Sequence, residues 1–315
     1  MNNKFETYLL ENSLRGLSSI PKSDIHSHAG RGGKVDYISS WAKVEISLPP
    51  NRFDSLVHMQ RWFCDNVKTH CPGLQGFLKR WEAAFCQASN DNIKVLALSF
   101  TISEIDFVGG IESFIKILKE YNQLFAADTI FLPELTFDRA CNIEQEISRL
   151  DEIFSYGFFK SVDICCDEFA QPIRNFKKIF RKAKEYSLRL KAHVGEFGSA
   201  DDVMEAVEEL ELNEVHHGIA VAESNYIMKW LANQKIQLNI CPTSNIMLGV
   251  VESYAVHPIR KIYDAGIPVT INTDDLLIFN QTVSQEYLNL FKLMTAEELI
   301  KVREMGLKEL DYYTV

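Results

Sequence analysis

From Lys94 onward the chain alternates short apolar, β-branched runs with longer stretches whose apolar positions recur every three or four residues. The first kind of run reads as a strand buried on both faces, the second as an amphipathic helix packed over it. Strands are expected at Lys94 to Thr101, Ile130 to Leu135, Ser161 to Cys165, Arg189 to His193, Glu214 to His217, Gln237 to Ile240 and Val269 to Asn272, with an earlier one at Ile25 to His28. Helical periodicity fills the gaps at Ile111 to Leu124, Ile143 to Ile153, Asn175 to Tyr186, Ala200 to Leu210, Ser224 to Ala232 and His257 to Ala265. Ser199 and Ser224 supply N-cap oxygens, and Gly266 followed by Pro268 stops a helix before the last strand. Repeated βα units imply parallel strands, and eight of them predict an α/β fold, a (β/α)8 TIM-type barrel forming a single domain over 1–315.

The alternation fails over 32–92, which follows the first strand and carries Trp41, Phe53, Trp62, Phe63, Trp81 and Phe85. Extra length on a βα loop sits over the C-terminal mouth of a barrel, so a helical lid lining a pocket for a planar ligand is expected. A helical subdomain that uses these aromatics as its own core fits the same pattern, and the two are compatible.

Composition narrows the partners. With 46% hydrophobic and 24% charged residues, the chain has apolar material for a large core. A net charge of −10 opposes broad binding to nucleic acid or anionic membranes, which leaves small molecules. Met1 to Gly16 is polar, without the apolar stretch of a signal peptide, and no run is long enough to span a bilayer, so a cytoplasmic location is expected. Seven cysteines without a repeated CxxC spacing read as reduced thiols rather than a disulfide framework. Cys165 and Cys166 are adjacent in a strand-like run, where neighbouring side chains diverge.

Four strand ends carry chemistry. His26 and His28 stand two apart on a strand, so both imidazoles leave the same face and can meet one ion. His193 ends another strand and is followed by Val194-Gly195-Glu196, where a turn lets a metal-bound imidazole and a carboxylate face one substrate. Read singly, His193 is equally a structural histidine and Glu196 an ordinary helix-start charge. Asp274 and Asp275 close the last strand; adjacent carboxylates repel, and a divalent cation relieves that repulsion. His216-His217-Gly218 ends the sixth strand and offers a base beside a bound water, with alternation sending one ring inward and one outward. The sequence alone leaves open which ring is which.

Taken in order, His26-Ser27-His28, the Ser161 to Glu168 segment, His193-Val194-Gly195-Glu196, His217-Gly218, Cys241-Pro242-Thr243-Ser244-Asn245, His257-Pro258 and Ile271 to Asp275 resemble the adenosine/adenine deaminase family of zinc amidohydrolases. The resemblance runs from Pro21 to about Tyr287. It implies one zinc ion held by His26, His28, His193 and Asp274, with other divalent transition metals as substitutes. It also implies that Glu196 protonates the purine ring, that His217 orients the attacking water, and that Asp275 contacts both water and ring. His216 is then the outward, structural histidine. The implied reaction converts a 6-aminopurine and water to a 6-oxopurine and ammonia.

Three positions depart from the family and bear on substrate binding. Gly30 stands where nucleoside-specific members place an aspartate toward the ribose and adenine-specific members a glutamate. Cys166 replaces a glycine whose N–H meets the purine. Arg31 follows at the mouth, where a guanidinium can face a phosphate or carboxylate, or simply solvent. These departures keep a second reading alive, an amidohydrolase acting on another amine or amide. A third, a ligand-binding protein without turnover, sits poorly with a complete set of catalytic residue types.

Overall fold

The computed structural model describes residues 1–308, and the expected domain of 1–315 runs past the described residues. Its centre is a ring of eight parallel strands: β1 Lys22–His28, β2 Ile93–Thr101, β3 Ile130–Asp138, β4 Ser161–Cys165, β5 Arg189–Val194, β6 Glu214–His217, β7 Gln237–Ile240 and β8 Val269–Ile271. Neighbours in space are neighbours in sequence throughout, as right-handed βα crossovers require. The ring closes through the strand ends: Ser27 bridges Asp274, the His28 N–H donates to the Asp274 carbonyl at 3.2 Å, and the Asp274 N–H donates to the His26 carbonyl at 2.9 Å. The (β/α)8 barrel expected from the alternation is the fold found.

Outward residues of the strands, among them Leu98, Phe100, Val162, Ile164, Leu190, Val215 and Leu238, join the helices in the main apolar core. Ser199 caps helix Ala200–Leu210 in a capping box with Asp202, and Ser224 accepts the Ile227 N–H at the start of Asn225–Gln234. The expected helix over 175–186 starts instead as a 3-10 turn, Ile173–Phe176, and continues as Lys177–Glu185; that over 257–265 shortens to Ile259–Asp264. Helices Asn2–Leu10, Leu14–Ser18, Val283–Leu290 and Ala296–Leu307 were not anticipated. The last of them lies close enough to β1 that a Cβ on Gly306 would stand 1.9 Å from Ser23 Oγ. Among the described residues no helix is long and apolar enough to cross a membrane.

Inside the barrel only the floor is apolar, with Ile25, Val95, Ala97 and Leu132 packed against Leu307. Above it the strands point charge at one another. Glu134 on β3, fully buried, accepts from Ser99 Oγ (2.6 Å) and Ser161 Oγ (2.7 Å) and pairs with Lys191 Nζ on β5 at 2.9 Å. Glu214 on β6 lies 3.6 Å from the same ammonium and accepts from Asn239 Nδ2 at 2.7 Å. Burial pulls the Lys191 pKa down, but Glu134 and Glu214 outweigh it and the result is a rise. Burial likewise pushes Glu134 up, and Lys191 with His216 overrides it, holding the carboxyl well below its usual range.

The insertion folds as helices Val35–Ala42, Leu56–Asn66 and Gly73–Asn90 with a short turn at Lys68–His70. Its aromatics divide. Trp81 and Phe85 sink into the main core, whereas Phe53, Phe63, Trp41 and Trp62 gather in a second cluster with Met247, Leu248 and Leu277 to Phe279 from the barrel loops. The insertion therefore builds its own core on the barrel mouth and also turns Phe63 into the pocket.

The buried network makes a stability prediction. Lys191→Met leaves the buried Glu134 carboxylate without its ammonium, while Glu214 keeps Arg189 Nε at 2.9 Å, and is expected to cost about 3–5 kcal/mol in urea unfolding. Adding Glu134→Gln to it should recover part of that loss, because the stranded charge is then gone.

Candidate metal centre and active site

The C-terminal ends of β1, β5 and β8 bring His26, His28, His193 and Asp274 together, with one ligand atom from each lying within 4.8 Å of all the others. All but His28 are buried, and His28 keeps a fifth of its side chain open to the pocket. Each imidazole is oriented from behind. His26 Nδ1 lies 3.0 Å from the Asn239 carbonyl, and a carbonyl can only accept, so Nδ1 carries the hydrogen and Nε2 keeps its lone pair. His193 Nδ1 lies 3.0 Å from Asp163 Oδ1, with the same consequence.

The two Nε2 atoms then face each other at 3.0 Å. Lone pairs at that distance repel unless a cation, either a metal ion or a proton, lies between them. Burial lowers the His193 pKa, but the Asp163 carboxylate outweighs it and lifts the ring to about 9, so the proton takes this place when no metal does. Asp274 supplies the fourth donor: its Oδ1 is 3.3 Å from His28 Nε2, and its Oδ2 accepts from Ser244 Oγ at 2.7 Å. Three imidazoles and one carboxylate, buried and converging, suit a divalent transition metal.

Glu196 and His217 stand beside this cluster. The turn carrying Glu196 is held by a single carboxylate: Glu168 accepts the backbone N–H groups of Gly195 (3.0 Å), Glu196 (2.8 Å), Phe197 (2.9 Å) and Gly198 (3.2 Å). Burial, then Asp274, Glu168 and Asp275, push the Glu196 pKa well above the ordinary glutamate value. His217 Nε2 lies 3.5 Å from Glu196 Oε2 and 3.9 Å from Asp274 Oδ2. Asn245 Nδ2 donates to His217 Nδ1 at 3.1 Å, which leaves the ring hydrogen on Nε2, facing the site. Burial holds His217 neutral by lowering its pKa far below the usual histidine value.

The expectation that His216 points outward is wrong. Its ring is fully buried in the barrel, stacked on His26 with centroids 3.9 Å apart and 3.3 Å from Glu134 Oε1. Strand alternation does send His216 inward. His217 follows it to the same side because its φ of 62° breaks the alternation. Asp274 (φ 59°) and Cys166 (φ 77°) share this left-handed conformation, so three strand ends carry backbone that side chains disfavour by roughly 1–2 kcal/mol each.

Asp275 lies beside the metal cluster, and Arg31 Nη1 donates to its Oδ2 at 2.6 Å, while its Oδ1 is buried without a partner. Arg31 also donates to Gln60 Oε1 and lies over the Phe63 ring. Its expected freedom at the mouth is thus spent on Asp275. Cys166 lines the pocket, with its sulfur 3.4 Å from that of Cys165, and both thiols are free. The left-handed turn at Cys166 defeats the divergence expected of adjacent strand residues. Gly30 also lines the pocket, and the Arg80 guanidinium covers its missing side chain.

Sequence reasoning gave no role to Asp163, Glu168, Ser244 or Asn245, although each lies inside a segment it had singled out. Their work is to hold other residues, and only the assembled barrel shows which.

Asp163→Asn is expected to weaken metal binding about 10–100-fold, as changes behind a ligating histidine do. Competition against a chromophoric chelator measures it, and unchanged affinity would remove Asp163 from the centre.

The Adenosine deaminase family pattern matches residues 99–309. A putative adenosine/adenine deaminase of Treponema pallidum is 32% identical over 297 residues, covering 92% of this chain and 99% of that protein. The barrel superposes on the adenine deaminase of Arthrobacter aurescens with a TM-score of 0.78 at 20% identity, covering 91% of this chain and 93% of the other. It superposes on the N6-methyl-AMP deaminase of Arabidopsis thaliana with a TM-score of 0.75 at 18% identity, covering 93% and 94%. With a metal-ligand cluster at its strand ends, a family pattern over two-thirds of its length and a full-length relative, the chain belongs to the adenosine deaminase family.

Proposed function

We propose that this protein hydrolyses the exocyclic amine of a 6-aminopurine, giving the 6-oxopurine and ammonia, with one zinc ion held by His26, His28, His193 and Asp274. The observation that carries the reading is the pairing of a metal-ligand cluster with a buried carboxyl, Glu196, which lies 3.5 Å from His217 beside it and whose pKa burial and its carboxylate neighbours push up. The names of its relatives point the same way: the Treponema protein is described for adenosine or adenine, and the Arabidopsis enzyme for N6-methyl-AMP.

When bound, the ion supplies Lewis acidity that makes a water nucleophilic near neutral pH. Everything else falls to the chain. Glu196 gives its proton to the ring nitrogen next to C6, which draws electron density away and opens that carbon to attack. His217, neutral and bearing its hydrogen on Nε2, donates toward the attacking oxygen and steadies its charge. Asp275 offers its unpartnered Oδ1 to the substrate. The oxygen of water ends on C6, the Glu196 proton ends on the ring nitrogen, one hydrogen of the water restores Glu196 and the other leaves on ammonia, so the C–N bond broken is balanced by the C–O bond formed and the carboxyl is regenerated.

A second reading, hydrolysis of a different amine by the same site, rests on Gly30, which offers no side chain to a sugar or base. Release of the amine by zinc-loaded protein decides between them, as ammonia from adenine, adenosine, 2′-deoxyadenosine and adenosine monophosphate and as methylamine from N6-methylated adenines. Turnover of one of these is expected, and Glu196→Gln should lower it by at least about 100-fold with zinc content unchanged. Silence on the whole panel, with zinc loaded, would transfer the case to the second reading.

A further inference from the structure

The roof of the pocket holds a cation that deamination does not use. Arg80, on helix Gly73–Asn90, lines the pocket yet is only 6% exposed. One of its nitrogens, Nη1, donates to the Gly30 carbonyl at 2.8 Å, and Nε is buried with no partner. Among the described residues no carboxylate comes within ion-pair distance of it. Its neighbours are aromatic faces, with Phe77 5.2 Å and Phe63 5.6 Å from the guanidinium carbon.

Other cations gather at the same place. Lys68 Nζ lies 5.7 Å from the Phe63 centroid, and neither it nor Arg61, which also lines the pocket, has an ion-pair partner among the described residues. Arg31 faces Phe63 too, at 4.9 Å, but is committed to Asp275. A buried guanidinium without a counter-charge is unfavourable unless an anion joins it, and Lys68 and Arg61, both exposed, add positive charge to the lining of the same pocket.

The position of Arg80 says where on a substrate that anion sits. A Cβ on Gly30 would stand 2.9 Å from Arg80 Nη1. The guanidinium therefore occupies the space into which a side chain at position 30 would project toward a sugar or base. A carboxylate there would accept from hydroxyls or ring N–H groups; a guanidinium donates, and only to acceptors. Glu104 Oε1 lies 3.8 Å from the same point, but its other oxygen accepts the Thr101 N–H as a helix cap, and it forms no ion pair with Arg80. The cavity, about 1050 Å³, is at the large end for a small-molecule site and far exceeds what a free base fills.

We infer that the substrate is a purine nucleoside 5′-monophosphate, its phosphate received under the roof by Arg80 and Lys68. This rests on the deaminase reading above and names its substrate class. A dianionic phosphate, with acceptor oxygens on every side, matches a fixed guanidinium and a mobile ammonium better than a single carboxylate does.

The test uses full-length, zinc-loaded enzyme and two independent readouts. In turnover, kcat/KM for adenosine monophosphate should exceed that for adenosine by at least about 30-fold, and both Arg80→Met and Lys68→Ala should shrink that ratio by about 10-fold or more. Lys68 is exposed, so its variant remains informative if the Arg80 variant fails to fold. In calorimetric binding, inosine monophosphate should outcompete inosine by a similar factor in the wild type and lose that advantage in the variants. A turnover ratio near one, or a ratio that neither variant moves, overturns the inference even where adenosine or adenine is deaminated. Inorganic phosphate binding as tightly as the nucleotide also overturns it, since the site would then be one for the free anion. Should no aminopurine be turned over, the deaminase reading fails, and the comparison of inosine monophosphate with inosine still decides the phosphate site.

Discussion

Two imidazole nitrogens with facing lone pairs, His26 Nε2 and His193 Nε2 at 3.0 Å, set the problem that the rest of this structure answers. Such a pair is stable only around a cation, and it can be poised for one only if neither ring can turn away. Turning is blocked from behind. The Asn239 carbonyl holds one Nδ1, the Asp163 carboxylate holds the other, and His216 stacks beneath His26. The fourth donor is fixed even more firmly, because the backbone of Asp274 is itself the seam that joins β8 to β1. A ligand built into the closure of the barrel cannot drift without opening the barrel.

That arrangement has a cost in buried charge, and the polar interior of the barrel is where it is met. Barrel interiors are usually filled by branched apolar side chains in layers. Here such a layer survives only at the floor, and the layers above it are Glu134, Lys191, Glu214, Asn239 and His216, bonded to one another across strands. Each of these charges would be costly alone, and together they leave few donors or acceptors without a partner. The same logic reaches the active carboxyl. Glu168 takes four backbone N–H groups from the turn that carries Glu196, so one carboxylate positions another and, by its charge, helps push its pKa up.

Much of this was legible in sequence because strand geometry is periodic. Two histidines two apart must share a face, and a strand ending in Asp-Asp must present carboxylates at a rim, wherever the strand lies. The strands themselves were visible for the same reason, while the bounding helices after Ile271, with their mixed polar and apolar turns, were not picked out. What periodicity could not supply was any feature set by departure from it. His217 joins His216 on the inner side only through a positive φ, and Cys166 meets Cys165 the same way. Nor could spacing reveal pairs made across the barrel. Asp163 to His193 spans 30 residues, Ser244 to Asp274 another 30, and nothing local in either sequence marks the partner.

The division between legible and hidden residues follows a division of labour. The chemistry sits on strand ends, which the barrel fixes and which the sequence therefore displays. The loops and the insertion over 32–92 line the rest of the cavity, and the insertion's own apolar cluster seats it on the mouth. Gly30 leaves a space beside the cavity, and Arg80, arriving from a helix 50 residues further on, fills it with a guanidinium. Arg31, paired to Asp275, links the two halves, since Asp275 directly follows Asp274 of the metal-ligand cluster. The three positions at which this chain departs from its family are thus one feature rather than three. All of them line the same cavity as His28, His193 and Asp274.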